Sequence, residues 1–161
     1  MSSIIVIMGA GQDPNGDCLG LRPYVEDLCD KTGSVSQFHA HDEPGLEDKF
    51  TSIDGSLVLI GHSFGGYEAL RVAHALDLAG RSIDVLCLLD PKPKPFGDWI
   101  NPAYEFPLPT NAKTMQCFWS GFGRPFKGHR FSLHLNINHE DFPGDPIAQD
   151  WITDAVKAIN P

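Results

Sequence analysis

The chain has few basic residues, only four cysteines and no long hydrophobic run in its 161 residues. Lys and Arg number 12 against 21 Asp and Glu, and the net charge of −9 argues against binding to nucleic acids or anionic membranes. No apolar run reaches the roughly 20 residues that a membrane-spanning helix needs. The cysteines lack C-x-x-C spacing, so we expect neither zinc nor disulfides, and predict no cofactor.

The chain opens with MSSIIVIMGAG, which lacks the basic stretch that begins a secretory signal peptide. We interpret residues 4–8 as a buried strand and expect the protein to lie in the cytoplasm. The composition, 42% hydrophobic and 20% charged, is typical of globular proteins. The length suits a single domain over residues 1–161.

Short apolar runs alternate with helical patterns along most of the chain. The runs are typical of strands and lie at 4–8, 35–39, 57–61, 84–89, 114–119 and 131–137. Helices are predicted over about 20–31, 64–79 and 146–159, with a weaker one near 45–51. This alternation predicts an α/β fold, a three-layer α/β/α sandwich around a mostly parallel six-stranded sheet.

The last predicted helix has clear signals at its start. Asp145 is expected to cap it and Pro146 to occupy its first position. We expect one side of this helix to face the core through five residues, Ile147, Trp151, Ile152, Ala155 and Ile159.

Residues 91–112 contain six prolines and no helical period, which predicts a long loop. Its aromatic side chains are candidates to line an apolar substrate pocket, and an alternative is that they fill the core. Three of them, Phe96, Trp99 and Tyr104, are our substrate-binding candidates in this loop.

Ser63 lies in the motif Gly-His-Ser-Phe-Gly, between an apolar strand and a helix. This is the context of a nucleophile elbow, whose tight turn raises the serine oxygen above the sheet and points the helix start at the reaction centre. Glycines are needed at Gly61 and Gly65 because side chains there would collide where strand meets helix.

Residues 61–91, GHSFGGYEALRVAHALDLAGRSIDVLCLLDP, resemble the central block of the α/β-hydrolases, especially the thioesterase branch. The resemblance implies a reduced form of that fold, in which the chain lacks the helical cap of longer members. The loop 91–112 would then occupy the usual position of the cap.

The resemblance also implies a catalytic triad in the chain order serine, acid, histidine. His139 directly follows the last predicted strand and would act as the base for Ser63. The loop 120–128, where the family most often carries its acid, has no carboxylate. The thioesterase branch often places the acid one strand earlier, which corresponds to Asp90, with Asp98 as a second choice.

An oxyanion hole is implied in the same way. Its two donors would be the backbone N–H groups of Phe64 and Ala10, the latter in a segment that resembles the family's H-G-x motif. Gly11 and Gln12 are further substrate-binding candidates in that segment.

Together these residues predict a serine hydrolase that cleaves a small-molecule ester or thioester through an acyl-enzyme. The same triad would serve a haloperoxidase-like or carbon–carbon bond hydrolase. The alternative from a different class is a non-catalytic binding protein on a hydrolase scaffold. No partner other than the substrate is predicted, and the sequence leaves acyl chain length and oligomeric state open.

Overall fold

The computed structural model describes residues 2–93 and 105–160. Its centre is a six-stranded sheet in which every neighbouring pair is parallel, in the order β2-β1-β3-β4-β5-β6. The strands are β1 (Ser2–Met8), β2 (Val35–Ala40), β3 (Ser56–His62), β4 (Ile83–Leu89), β5 (Ala112–Trp119) and β6 (Ser132–His134). The predicted α/β sandwich is confirmed.

Helices cover both faces of the sheet and bury its continuously apolar strands. The helices are α1 (Leu21–Thr32), α2 (Leu46–Thr51), α3 (Phe64–Leu78) and α4 (Pro146–Ile159). Alternate residues of β1 point to opposite faces: Ile4 and Val6 pack with α1 and α4, whereas Ile5 and Ile7 pack with α2 and α3. No helix in the described ranges has both the length and the apolar character to cross a membrane.

Two predicted details are wrong at the C-terminal end of the chain. The last strand comprises only Ser132–His134 rather than 131–137, because Leu135 and Ile137 pack on the core beside α4 and the chain leaves the sheet edge. In α4, Ile147 is 52% exposed. It precedes the buried Ile152 by five residues, which at 3.6 residues per turn places it about 140° away on the opposite side.

The other predictions for α4 are confirmed. The Asp145 side chain caps the helix by accepting a hydrogen bond from the backbone N–H of Ala148 at 3.0 Å, and Pro146 occupies the first helical position. Ala148, Ile152 and Val156 form its buried stripe. A short 3-10 helix, His139–Gly144, leads directly into α4, so His139 lies seven residues before the first residue of the helix.

All carboxyl ends of a parallel sheet lie at one edge, and here they carry the candidate functional residues. β1 ends before the loop 9–12, β3 ends before Ser63, and β4 ends before Asp90. The loop between β6 and α4 brings His139 to the same edge. This arrangement brings together residues that are far apart in sequence.

Candidate active site

Ser63 occupies a strained turn between β3 and α3. Its φ of 58° and ψ of −125° lie in a region that costs a non-glycine residue roughly 1–3 kcal/mol. Backbone hydrogen bonds on both sides hold the turn: Ser63 N–H donates to the carbonyl of Leu89 at 3.0 Å, and its own carbonyl accepts from Gly66 at 3.0 Å and Lys92 at 2.9 Å. The strain is therefore imposed by the neighbouring β4 end and by the first turn of α3.

The two glycines of the motif are required by close contacts. A Cβ on Gly65 would lie 2.1 Å from the carbonyl oxygen of Ile7, and a Cβ on Gly61 would lie 2.4 Å from the carbonyl oxygen of Gly65. Both distances are impossible for real atoms. The helix start can approach β1 and β3 only because these positions carry no side chain.

Ser63, His139 and Asp90 form a continuous hydrogen-bonded chain. His139 Nε2 lies 2.9 Å from Ser63 Oγ, and His139 Nδ1 lies 2.5 Å from Asp90 Oδ2. A carboxylate only accepts, so Nδ1 carries the proton and Nε2 is left to accept from the serine hydroxyl. The structure thus brings together the three residues that the sequence nominated.

Asp90 is fully buried and its charge is held by directed hydrogen bonds. Burial raises the pKa of Asp90, but the bonds from His139 and from Ser120 outweigh that effect and leave the pKa lowered. Ser120 contributes its backbone N–H at 2.6 Å from Oδ1 and its hydroxyl at 2.9 Å from Oδ2. Asp90 is therefore an ionised carboxylate facing the imidazole.

Ser120 and Gly123, which lie against the Asp90 carboxylate, were not among the residues nominated from the sequence. Both lie in the loop 120–128, which lacks a carboxylate of its own. A Cβ on Gly123 would lie 2.0 Å from Asp90 Oδ1, so the loop can enclose the carboxylate only with glycine there. The available signal was the serine and two glycines in the run Ser-Gly-Phe-Gly directly after β5.

A pocket of about 250 Å³ opens beside the serine and the histidine. The loop after β1 forms one wall, and its Gly9 approaches so closely that an added Cβ would lie 2.7 Å from Ser63 Cβ. Ala10 lines this pocket, and within the described ranges no acceptor takes its N–H. Phe64, the other proposed donor, is the first residue of α3.

Of the other predicted substrate-binding residues, two line this pocket and the rest lie outside the described residues. Gly11 and Gln12 line the pocket, but the Gln12 amide is engaged inside the protein rather than presented to a ligand: Oε1 accepts from Gly9 N–H at 2.7 Å, and Nε2 lies 3.2 Å from His62 Nδ1. Four predicted loop residues lie outside the described residues: Phe96, Asp98, Trp99 and Tyr104.

His62 is the residue directly before Ser63. It is 3% exposed, lines the same pocket, and stacks on the ring of His139 with centroids 4.8 Å apart. Burial is the main cause that lowers the pKa of His62 to about 4, so the ring is neutral. Across residues 2–93 and 105–160, no group of three His, Cys, Asp or Glu side chains could hold a metal.

Comparison with family models and with curated proteins finds no match. Among solved structures, the chain is similar to the NocB thioesterase domain, whose crystal structure is a covalent complex with a fluorophosphonate nocardicin G analog. The TM-score is 0.49 and the sequence identity 12%, over 98% of this chain and 94% of that one.

Proposed function

We propose that the protein is a serine hydrolase that cleaves a small ester or thioester through an acyl-enzyme. The observation that carries this proposal is the chain of hydrogen bonds from Ser63 Oγ through the His139 ring to the buried Asp90. Ser63 and His139 both line the pocket, so the carbonyl carbon of a bound substrate can reach the serine oxygen.

In the acylation step, His139 Nε2 takes the proton of Ser63 as Oγ attacks the substrate carbonyl. The imidazole becomes cationic at that moment, and the ionised Asp90 at Nδ1 stabilises it. His139 then gives the proton to the leaving alcohol or thiol. Water attacks the acyl-enzyme in the second half, with His139 again as base and Ser63 regenerated.

The tetrahedral intermediate carries a negative oxygen, for which we assign the backbone N–H groups of Ala10 and Phe64. Support comes from the place of Ala10 on the pocket wall and from the position of Phe64 at the start of α3, where the helix dipole favours negative charge. One good donor of this kind lowers a barrier by about 3 kcal/mol.

The pocket supports a small acyl or leaving group. Its volume of about 250 Å³ lies below the roughly 300–1,000 Å³ of pockets for drug-sized ligands. Leu19 supplies an apolar side chain at its rim, held by a backbone φ of 56° that follows a φ of 58° at Cys18. Much of the remaining wall is glycine and polar side chain, which leaves little apolar surface for a long acyl chain.

The test is hydrolysis of short-chain acyl esters and acyl thioesters by the parent protein and by Ser63→Ala and His139→Ala. Each variant is expected to lose on the order of 10⁴-fold in kcat. Ser52→Ala is the matched control, because Ser52 is exposed and its hydroxyl donates to the carbonyl of Lys49. Equal activity in parent and Ser63→Ala would overturn the proposal and favour a binding protein.

A further inference from the structure

A second imidazole lies directly behind the proposed base. The rings of His62 and His139 stack with an interplanar angle of 27°, and His62 Nε2 lies 3.0 Å from the backbone carbonyl oxygen of His139. The same residue therefore contacts both the ring and the main chain of the base. Asp90 contacts the same ring at its edge, through Nδ1, whereas His62 contacts its face.

The polar contacts of His62 define one tautomer. A carbonyl only accepts, so His62 Nε2 carries the proton and donates a hydrogen bond to the backbone carbonyl oxygen of His139. His62 Nδ1 is then unprotonated and acts as an acceptor. The donor to His62 Nδ1 is Gln12 Nε2, at 3.2 Å. The other end of the Gln12 amide is fixed, because its Oε1 accepts a hydrogen bond from the N–H of Gly9 at 2.7 Å. Each of these three contacts therefore pairs one donor with one acceptor.

We propose that His62 and Gln12 form a positioning pair that couples the loop carrying the base to the loop 9–12 of the oxyanion hole. The inference rests on the proposed function. It deepens that function by assigning a role in catalysis to two residues that do not touch the reacting atoms. Their contacts run from Gly9 N–H, beside Ser63, to the main chain of His139.

The two restraints on His139 act in different directions. The Asp90 bond fixes one edge of the ring but allows the ring plane to tilt about that contact. The stacked face of His62 restricts the tilt, and its bond to the His139 carbonyl restricts the backbone from which the ring projects. Misplacement of a catalytic group by about 1 Å costs up to roughly 100-fold in rate.

A neutral His62 is needed for this role. When His139 takes the serine proton, a second positive charge on the stacked ring would repel it. The charged or titratable groups near His62 are His139, Asp90 and Lys92. Burial keeps the pKa of His62 at about 4, so the ring presents a neutral face to the imidazolium at neutral pH.

The experiment compares three variants with the parent: His62→Phe, which keeps a stacked ring without the hydrogen bonds, Gln12→Met, which removes both amide contacts at similar length, and the double variant. The readouts are the rate of fluorophosphonate labelling, kcat and KM for a short-chain ester, and the melting temperature. His74→Phe is the control, since His74 lies on α3 and its buried Nε2 has no hydrogen-bond partner among the described residues.

Each single variant is expected to label about 10- to 100-fold more slowly than the parent, with kcat lowered and KM nearly unchanged. The double variant should be no slower than the slower single, because either change breaks the same chain of contacts. Gln12 is only partly buried, so we expect Gln12→Met to fold, with a modestly lower melting temperature, and to decide the matter if His62→Phe does not fold.

Labelling of Gln12→Met and His62→Phe at the parental rate, with the parent labelled on Ser63, would overturn this inference and leave the proposed function standing. Additive losses in the double variant would also overturn the coupling. A parent that takes no label would overturn the proposed function itself, so the two failures are distinguishable.

Discussion

Ser120 and Asp90 meet across the neighbouring ends of β5 and β4, where the serine donates to both carboxylate oxygens. Its backbone N–H lies 2.6 Å from Oδ1 and its hydroxyl 2.9 Å from Oδ2. His139 Nδ1 adds a third donor at 2.5 Å from Oδ2. The proposed acid is thus held by the residue that follows the next strand of the sheet.

Ser120→Ala should remove one of these bonds and keep the backbone donor. A hydrogen bond to a charged group contributes about 1.5–3 kcal/mol, so we expect the pKa of Asp90 to rise and kcat/KM to fall roughly tenfold. The pKa is measured by NMR titration of the carboxyl carbon and the rate with a short-chain ester. An unchanged Asp90 titration would contradict the role assigned to the hydroxyl.

Gly123→Ala adds a single methyl group but should lower the activity strongly. The new Cβ would lie 2.0 Å from Asp90 Oδ1, so either the loop or the carboxylate has to move, and activity should fall by about 100-fold. Gly121→Ala in the same loop is the matched control, because a Cβ there would have no atom of the described residues within 4 Å, its two chain neighbours apart. Similar activity of the two variants would disprove the enclosure of Asp90 by this loop.

The fold could be predicted from the sequence where hydrophobic pattern alone decides the structure. β1, β3 and β4 are buried on both faces, so their apolar runs were unambiguous, and the order of strands and helices followed. The predictions are wrong where tertiary packing, rather than the hydrophobic pattern of the sequence, decides which side chains are buried. Ile147 is apolar yet exposed, since Ala148 and Ile152 define the buried side of α4.

The candidate site divides in the same way. Ser63 carries a local motif, and the carboxyl ends of parallel strands share one edge, so Asp90 and His139 were accessible to reasoning from the order of elements. The supports Ser120 and Gln12 depend on side-chain contacts between loops that lie 30 and 50 residues from their partners. No pattern along the chain encodes those distances.

The stability of the protein should depend on pH through His62. Burial is the largest cause that lowers its pKa from 6.5 to about 4, and the charges of His139 and Lys92 act in the same direction. The hydrogen bond to the His139 backbone carbonyl and the charge of Asp90 oppose this lowering without cancelling it. Between pH 6.5 and 4 the unfolded chain therefore binds a proton that the folded protein does not. The free energy of unfolding should fall by about 3 kcal/mol across that window from this group alone.

The measurement is denaturant unfolding from pH 8 to pH 4 in the parent and in His62→Phe. The difference between their free energies of unfolding should change across the window and stay constant above pH 7. Asp90 does not interfere, because its lowered pKa places its own loss of stability below about pH 4. Parallel curves for parent and variant would show that folding does not lower the pKa of His62.

The central claim is that Ser63 is a nucleophile activated by His139 and Asp90. The most direct measurement is intact-mass analysis after fluorophosphonate treatment of the parent, Ser63→Ala and Asp90→Asn, because this reagent bonds to activated serines. One adduct on the parent, none on Ser63→Ala and much slower labelling of Asp90→Asn are the predicted results. No adduct on a folded parent, or equal labelling of Ser63→Ala, would contradict the claim.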